Sequence, residues 1–342
     1  MYREYMDKIK GPAKMMFLAG ILCIYGCTKH PVQDAGHTEI GFSAACTKAA
    51  IDNGAFSAGD AFAVYGYYSP IGNTSAQETE IFNAEKVSFD GNNWTYNGAR
   101  YWIPGNEYDF YAIFPFDTKA RQISIEPTDG ETPRRIIITG FDATRSIDLM
   151  TAANTGIACE SQSGNGTVGL TFRHHLARLS FPCEIEAATA AANPSYEVRI
   201  NEACIYGMTR QGDIAITGDT ETWDFSNYGT TTETSPFCAF SDAAGDKAIS
   251  GTTVTDLFGD DILLFPSADL SEYRLHISFS TRNDASSEWK DETKDITFSS
   301  LTARWEASRH YRYTLTFQGN NILFTVNIAD WNESMGGIIT VE

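Results

Sequence analysis

Six histidines, forty-four carboxylates and seven cysteines are the side chains of this 342-residue chain that could do chemistry. Their spacing decides what kind. His174 and His175 are neighbours on an alternating segment, so their rings point to opposite faces and would not share an ion. His30, His37, His276 and His310 stand alone. No HExxH, GxSxG, P-loop or GxGxxG pattern occurs, and the acidic stretch Asp256 to Asp261 lacks the spacing of a calcium loop. Carboxylates are plentiful enough for a glycosidase pair. Spacing along the chain cannot place two of them within the roughly 5–9.5 Å that such hydrolysis needs, and no other active-site residue accompanies any pair. The sequence calls for no catalytic residue, no metal and no cofactor, and the expectation is a chain that is not an enzyme.

One cysteine has a setting of its own. Arg3, Lys8, Lys10 and Lys14 outnumber Glu4 and Asp7, the apolar run Met15 to Gly26 follows, and Cys27 comes next. A positive start, a short apolar core and a small residue before the cut describe a secretory signal peptide over residues 1–26. The run is shorter than the ~20 apolar residues of a permanent span. Cys27, with Gly26 before it and Ile24 three before, resembles the bacterial lipobox, in which the cysteine sulfur is acylated. Each buried methylene of an acyl chain contributes about 0.8 kcal/mol, so two or more chains would hold the protein on a membrane. Beyond the signal and Cys27, the other cysteines (Cys46, Cys159, Cys183, Cys204 and Cys238) are odd in number, widely spaced and without CxxC. They are expected to be unpaired and to act as small hydrophobes.

Charge narrows the partners. Removing residues 1–26 takes away four basic and two acidic residues and leaves 21 basic against 42 acidic. Such a surface repels phosphate backbones, so nucleic acid is excluded as a partner. The 315 residues after Cys27 exceed what one core usually serves, which predicts two domains.

The elements that would carry these groups are strands. Period-two alternation recurs in Tyr108 to Phe114, Tyr273 to Phe279 and Tyr311 to Phe317, with turn signals such as Asp90-Gly91, Asn97-Gly98 and Pro104-Gly105 between segments. Many short strands so spaced predict β-sandwiches. Leu170 and Phe172 are apolar on even numbers, whereas Leu179, Phe181, Cys183 and Ile185 are apolar on odd ones; the phase switch at His174 to Ala177 predicts a β-bulge. Residues 159–167 are small and polar and read as a linker, and 220–234 and 241–251 read as loops. Trp94, Tyr96, Tyr101 and Trp102 flank an Asn-Gly turn, where aromatic rings could stack sugars or pack a core.

Several blocks resemble the fimbrillin family of Bacteroidetes, the subunits of type V pili: Gly59 to Tyr67, Trp94 to Tyr96 with Tyr101-Trp102, Tyr108 to Pro115, Asp148 to Met150 with Leu170 to Leu179, and Trp305 to Phe317 with Val326 to Trp331. Their order covers nearly the whole chain. The resemblance implies two tandem transthyretin-like β-sandwich domains, 49–160 and 168–342, behind a lipidated propeptide, 27–48. It implies export as a lipoprotein to the outer membrane, a trypsin-like cut that removes the lipidated end and first strand, and filling of the vacated groove by another subunit's strand. Lys48 is the best-placed basic residue for that cut. Ile40, Phe42 and Ala44, with Cys46, alternate on one face and would be the released strand. Ile322, Phe324, Val326 and Ile328 have the pattern of a donor, as do Ile338, Ile339 and Val341; the first set is equally readable as a permanent strand, and the last strand is the freer donor candidate. The predicted function is a structural fimbrial subunit that supports cell adhesion and partners with copies of itself and a host protein or glycan. The alternatives are an anchor or tip subunit, or a surface lipoprotein that binds glycans.

Overall fold

A computed structural model describes residues 38–46, 56–72, 78–128, 131–145, 147–161, 165–230, 236–240, 247–250, 254–259, 261–319, 321–331 and 339–340. All belong to one structural unit, Gly36–Glu342. Cys27 and Lys48 lie outside the described residues.

The described residues are mostly strand, as their alternation requires. The first half contributes β1 (Gly41–Cys46), β2 (Ala61–Pro70), β3 (Thr79–Phe89), β4 (Trp94–Tyr96), β5 (Asn106–Phe114), β6 (Gln122–Thr128), β7 (Glu131–Asp142), β8 (Met150–Cys159) and β9 (Thr167–His174). Next come β10 (Ala177–Ser180), β11 (Pro182–Ile185), the short helix α1 (Ala187–Ala192), β12 (Glu197–Tyr206), β13 (Gln211–Thr217), β14 (Thr220–Asp224), β15 (Phe237–Phe240) and β16 (Lys247–Ser250). The last are β17 (Thr255–Asp256), β18 (Ile262–Leu264), β19 (Arg274–Arg282), β20 (Lys290–Thr297), β21 (Arg309–Gln318), β22 (Asn321–Asp330) and β23 (Ile339–Thr340).

Three apolar cores organise these strands. The first sheet runs β1-β9-β8-β5-β2-β3-β4 and wraps Phe42, Phe62, Phe82, Tyr108 and Phe172 on its inner side. Its outer side, through Ala63, Tyr65, Tyr67 and Tyr111, meets Ile138, Ile214 and Phe265 in a second core. Ala61–Tyr67 of β2 is therefore buried on both faces, which explains why it reads as an apolar run rather than an alternation. A third core lies between the β17-β11-β21-β10-β18 sheet, extended by β22, and the β15-β12-β19-β20 sheet. The fourth sheet, β14-β13-β7-β6, is built from both sides of residues 159–167. Those residues fall between β8 and β9, which pair at Met150↔His174 and Thr151↔Arg173.

Three sequence expectations are corrected. The phase switch after His174 is not a bulge. The chain leaves the first sheet at the end of β9, bends at His175-Leu176 and enters another sheet as β10, parallel to β21. A change of core inverts the buried parity as a bulge would. Cys204 and Cys238 are not free: they face each other on β12 and β15 with Cα atoms 4.1 Å apart and form a disulfide. A pairing made across 34 residues leaves no trace in local spacing. Residues 220–224 form β14 and 247–250 form β16 rather than loops, because Trp223 packs beside Phe265 at the second core and Ile249, paired with Val198 of β12, is buried in the third.

Candidate functional site: the seat of the first strand

The segment 38–46 is held along both edges. On one side β1 runs parallel to β9, in register from Gly41↔Thr167 to Cys46↔Phe172. On the other, Glu39 pairs antiparallel with Tyr101: the Ile40 amide donates to the Arg100 carbonyl at 2.8 Å and the Trp102 amide to the Thr38 carbonyl at 3.0 Å. The close approach to β9 suits Gly41, since a Cβ there would lie 3.3 Å from Thr167 Oγ1. Side chains alternate along the strand. Ile40 and Phe42 are buried, Ala44 and Cys46 are half-buried against the same core, and Ser43 and Ala45 face outward.

Phe42 occupies an aromatic socket. Its ring meets those of Phe62, Phe82, Tyr96 and Phe110 at centroid distances of 6.3, 5.3, 5.9 and 5.7 Å, all edge-on, the arrangement that ring quadrupoles favour. Four separate segments supply these walls. Phe82 reaches inward because β2 has Gly66 opposite it: a Cβ at Gly66 would sit 2.8 Å from the Phe82 ring. Arg100 closes the rim. Its guanidinium lies 4.9 Å from the Phe82 centroid and 5.7 Å from that of Tyr96, and it bonds Glu85 at 2.9 Å and the Ile81 carbonyl at 3.0 Å. Burial pushes the Tyr96 hydroxyl up to about 12, so it stays protonated and donates to the Ile40 carbonyl at 2.8 Å. Burying Ile40 and Phe42 stabilises the seated strand by roughly 1.5–3 kcal/mol each. At its end, burial raises the Cys46 thiol to about 11, with Asp148 and Asp60 adding to the shift.

The other predicted residues lie elsewhere. β1 ends two residues before Lys48, which is outside the described residues. β22 pairs antiparallel with β21 along its whole length, from Gln318↔Asn321 to Arg309↔Asp330. Phe324 and Val326 are buried in the third core and Ile322 packs beside it. Ile328, read as the fourth residue of that buried face, is instead 41% exposed; beyond Val326 burial passes to Ala329 and Trp331. In β23, Ile339 pairs with Val326; Ile338 and Val341 lie outside the described residues.

The socket is what sequence reasoning missed. Of the two roles the sequence allows Tyr96 and Trp102, sugar stacking or core packing, both side chains take the second. Trp102 is buried and its indole donates to the Gly166 carbonyl at 3.0 Å, while Trp94 stacks on Phe89 at 5.0 Å. Trp-Thr-Tyr beside an Asn-Gly turn signalled a special place, but not which strand it would contact. The two histidines are also structural. His174 bonds Asp148 at 2.8 Å and stacks on Trp331, whereas His175 bridges Thr151 and Glu221 at 2.7 and 2.6 Å. Among the described residues, one group of three possible metal ligands comes together, Glu202 with Cys204 and Cys238, and its two sulfurs are bonded to each other.

Two solved structures share this build. A fimbrial protein from Bacteroides vulgatus ATCC 8482 superposes with a TM-score of 0.55 at 16% identity, covering 79% of this chain and 92% of that one. A candidate cell adhesion protein from Bacteroides uniformis ATCC 8492 gives 0.52 at 16% identity, covering 86% and 99%. At such identities the likeness establishes the fold alone. No curated protein matches. The fimbrillin-like family model matches residues 47–331, and the chain belongs to the fimbrillin-like family.

Proposed function

We propose that this chain is a structural subunit of a cell-surface fimbria that polymerises by strand exchange and supports adhesion. In this reading it is exported as a lipoprotein acylated on Cys27 and held at the outer membrane until a cut after Lys48 frees the propeptide. The observation that carries the reading is the seat of β1. This is a short strand, the first among the described residues and parallel to its neighbour, whose removal would leave two unpaired backbone edges and an aromatic-lined cavity. Unpaired edges and alternate side-chain pockets are what an added strand needs. The Cys204–Cys238 disulfide supports export, because such bonds persist in oxidising compartments.

The donor is a strand from a neighbouring subunit, with 322–328 and 338–341 as the candidates within this chain. β22 is bonded to β21 along its full length, which favours a second reading, a tip subunit that accepts a strand but donates none. Treating the purified chain with a Lys-specific protease separates the outcomes. A discrete truncation after Lys48 followed by SDS-resistant ladders supports a shaft subunit. Truncation with a monomeric product supports the tip reading, and persistence of the 1–48 segment on the body after cleavage would sink strand exchange altogether.

A further inference from the structure

Resting on the strand-exchange reading, we propose that the socket around Phe42 selects which strand enters the groove, and that the hydrogen-bond ladder does not. The fit is to an extended strand with an aliphatic residue, an aromatic two residues later and smaller residues at the next two alternate positions. The occupant already in place carries this pattern as Ile40, Phe42, Ala44 and Cys46. Every backbone can supply the same ladder to β9 and to residues 100–102, so the ladder distinguishes little between strands. Side-chain sites do distinguish. At the Phe42 position four ring edges converge and Arg100 caps Phe82 and Tyr96. These walls are themselves core residues: Phe62, Phe82 and Phe110 are at most 1% exposed. They are fixed by the same packing that holds the sheet, and collapse onto a small side chain would drag β2, β3 and β5 with it. A residue that underfills the site therefore leaves a cavity.

The pattern ranks the candidate strands of this chain. Ile322, Phe324, Val326 and Ile328 reproduce its first two positions and place Val and Ile at the next two. Ile339 and Val341 offer no aromatic at any register. A neighbouring subunit that donated a segment like 338–341 would therefore leave the socket part-empty, and the favoured partner is a strand with Phe or Tyr at that position.

The test uses the full chain cleaved after Lys48 and fluorescent peptides spanning residues 37–47, unmodified or carrying Phe42→Ala, Phe42→Leu or Ser43→Ala, plus a peptide of residues 336–342. Incorporation is read by gel filtration and anisotropy. The expected result is entry of the unmodified and Ser43→Ala peptides with similar affinity. Phe42→Leu is expected about 10-fold weaker and Phe42→Ala about 1,000-fold weaker, as a large-to-small change in a core predicts. Peptide 336–342 is expected at least 10-fold weaker. Phe42→Ala binding within threefold of the unmodified peptide, or 336–342 binding as tightly, would overturn the socket while leaving exchange intact. Failure of every peptide to enter would remove the exchange reading, and this proposal with it.

Discussion

β1 and β22 are both apolar alternating strands toward the ends of the chain, yet they are held in opposite ways. β1 has six residues, a parallel ladder and one deeply seated ring. β22 has ten residues, an antiparallel ladder and a short turn that joins it to its partner. Parallel pairing is slightly less stable per residue, and a hairpin closes at little entropic cost. β1 also precedes a basic residue, so one cut separates it from the body. On the proposed reading, burial of similar side chains gives one strand that leaves after cleavage and one that is bonded to its neighbour along its full length. The two strands share an amphipathic pattern and differ in ladder direction and connectivity.

The largest effect that sharpens this contrast comes from Phe42→Ala. It should destabilise the intact chain by about 4 kcal/mol and have no effect once the chain is cut after Lys48 and β1 has left. Phe324→Ala should cost about 3 kcal/mol both before and after cleavage. Urea unfolding of the four samples checks both, and equal behaviour of the two variants breaks the comparison.

Next in size is the disulfide. Opening the Cys204–Cys238 link, which closes a 34-residue separation, should cost about 3 kcal/mol by loss of the constraint on the unfolded chain. The loss should appear in protection of β12 and β15 and spare β1, as hydrogen exchange in reductant would reveal. Cys46 offers a kinetic reporter of the first strand. With its thiol raised to about 11 from 9.0, alkylation near pH 8 should run about 100-fold slower in the intact chain than in the free 37–47 peptide, and recover on release. Mass spectrometry after timed iodoacetamide exposure measures it.

The smallest effect is pH. Burial, with Arg178 nearby, lowers His310 to about 4, and burial lowers His175 in the same direction despite Glu221. A histidine held neutral in the fold contributes stability that is complete above its unfolded value near 6.5 and is lost as pH falls toward its folded value. His310 lies on β21 opposite Ala329 of β22. Acidification from pH 7 to 4.5 should therefore lower the melting temperature by a few degrees. His310→Gln should flatten that dependence, and a variant with an unchanged slope would refute the assignment.

Much of this was legible along the chain. The alternation at Ile40 and Phe42 and across Tyr311 to Phe317 marks buried faces because one core lies on one side of each strand. Legibility failed where two cores or two distant segments meet. The parity change after His174 records passage between sheets, which a local pattern cannot distinguish from a bulge. The disulfide depends on register between β12 and β15. The socket depends on rings from β2, β3, β4 and β5 meeting at one point, and spacing within any one strand says nothing of that convergence. Ile328 shows the reverse limit: the alternation continues past the core it was packing against.

Hydrogen exchange of β1 and β22 amides, measured on the same sample before and after Lys48 cleavage, tests the central claim most directly. Both strands should be protected in the intact chain. After cleavage the β1 amides should exchange freely, or leave with the released fragment, while Leu323 to Ala329 keep their protection. Loss of protection in β22 with β1 still protected would contradict the assignment of β1 as the exchangeable strand.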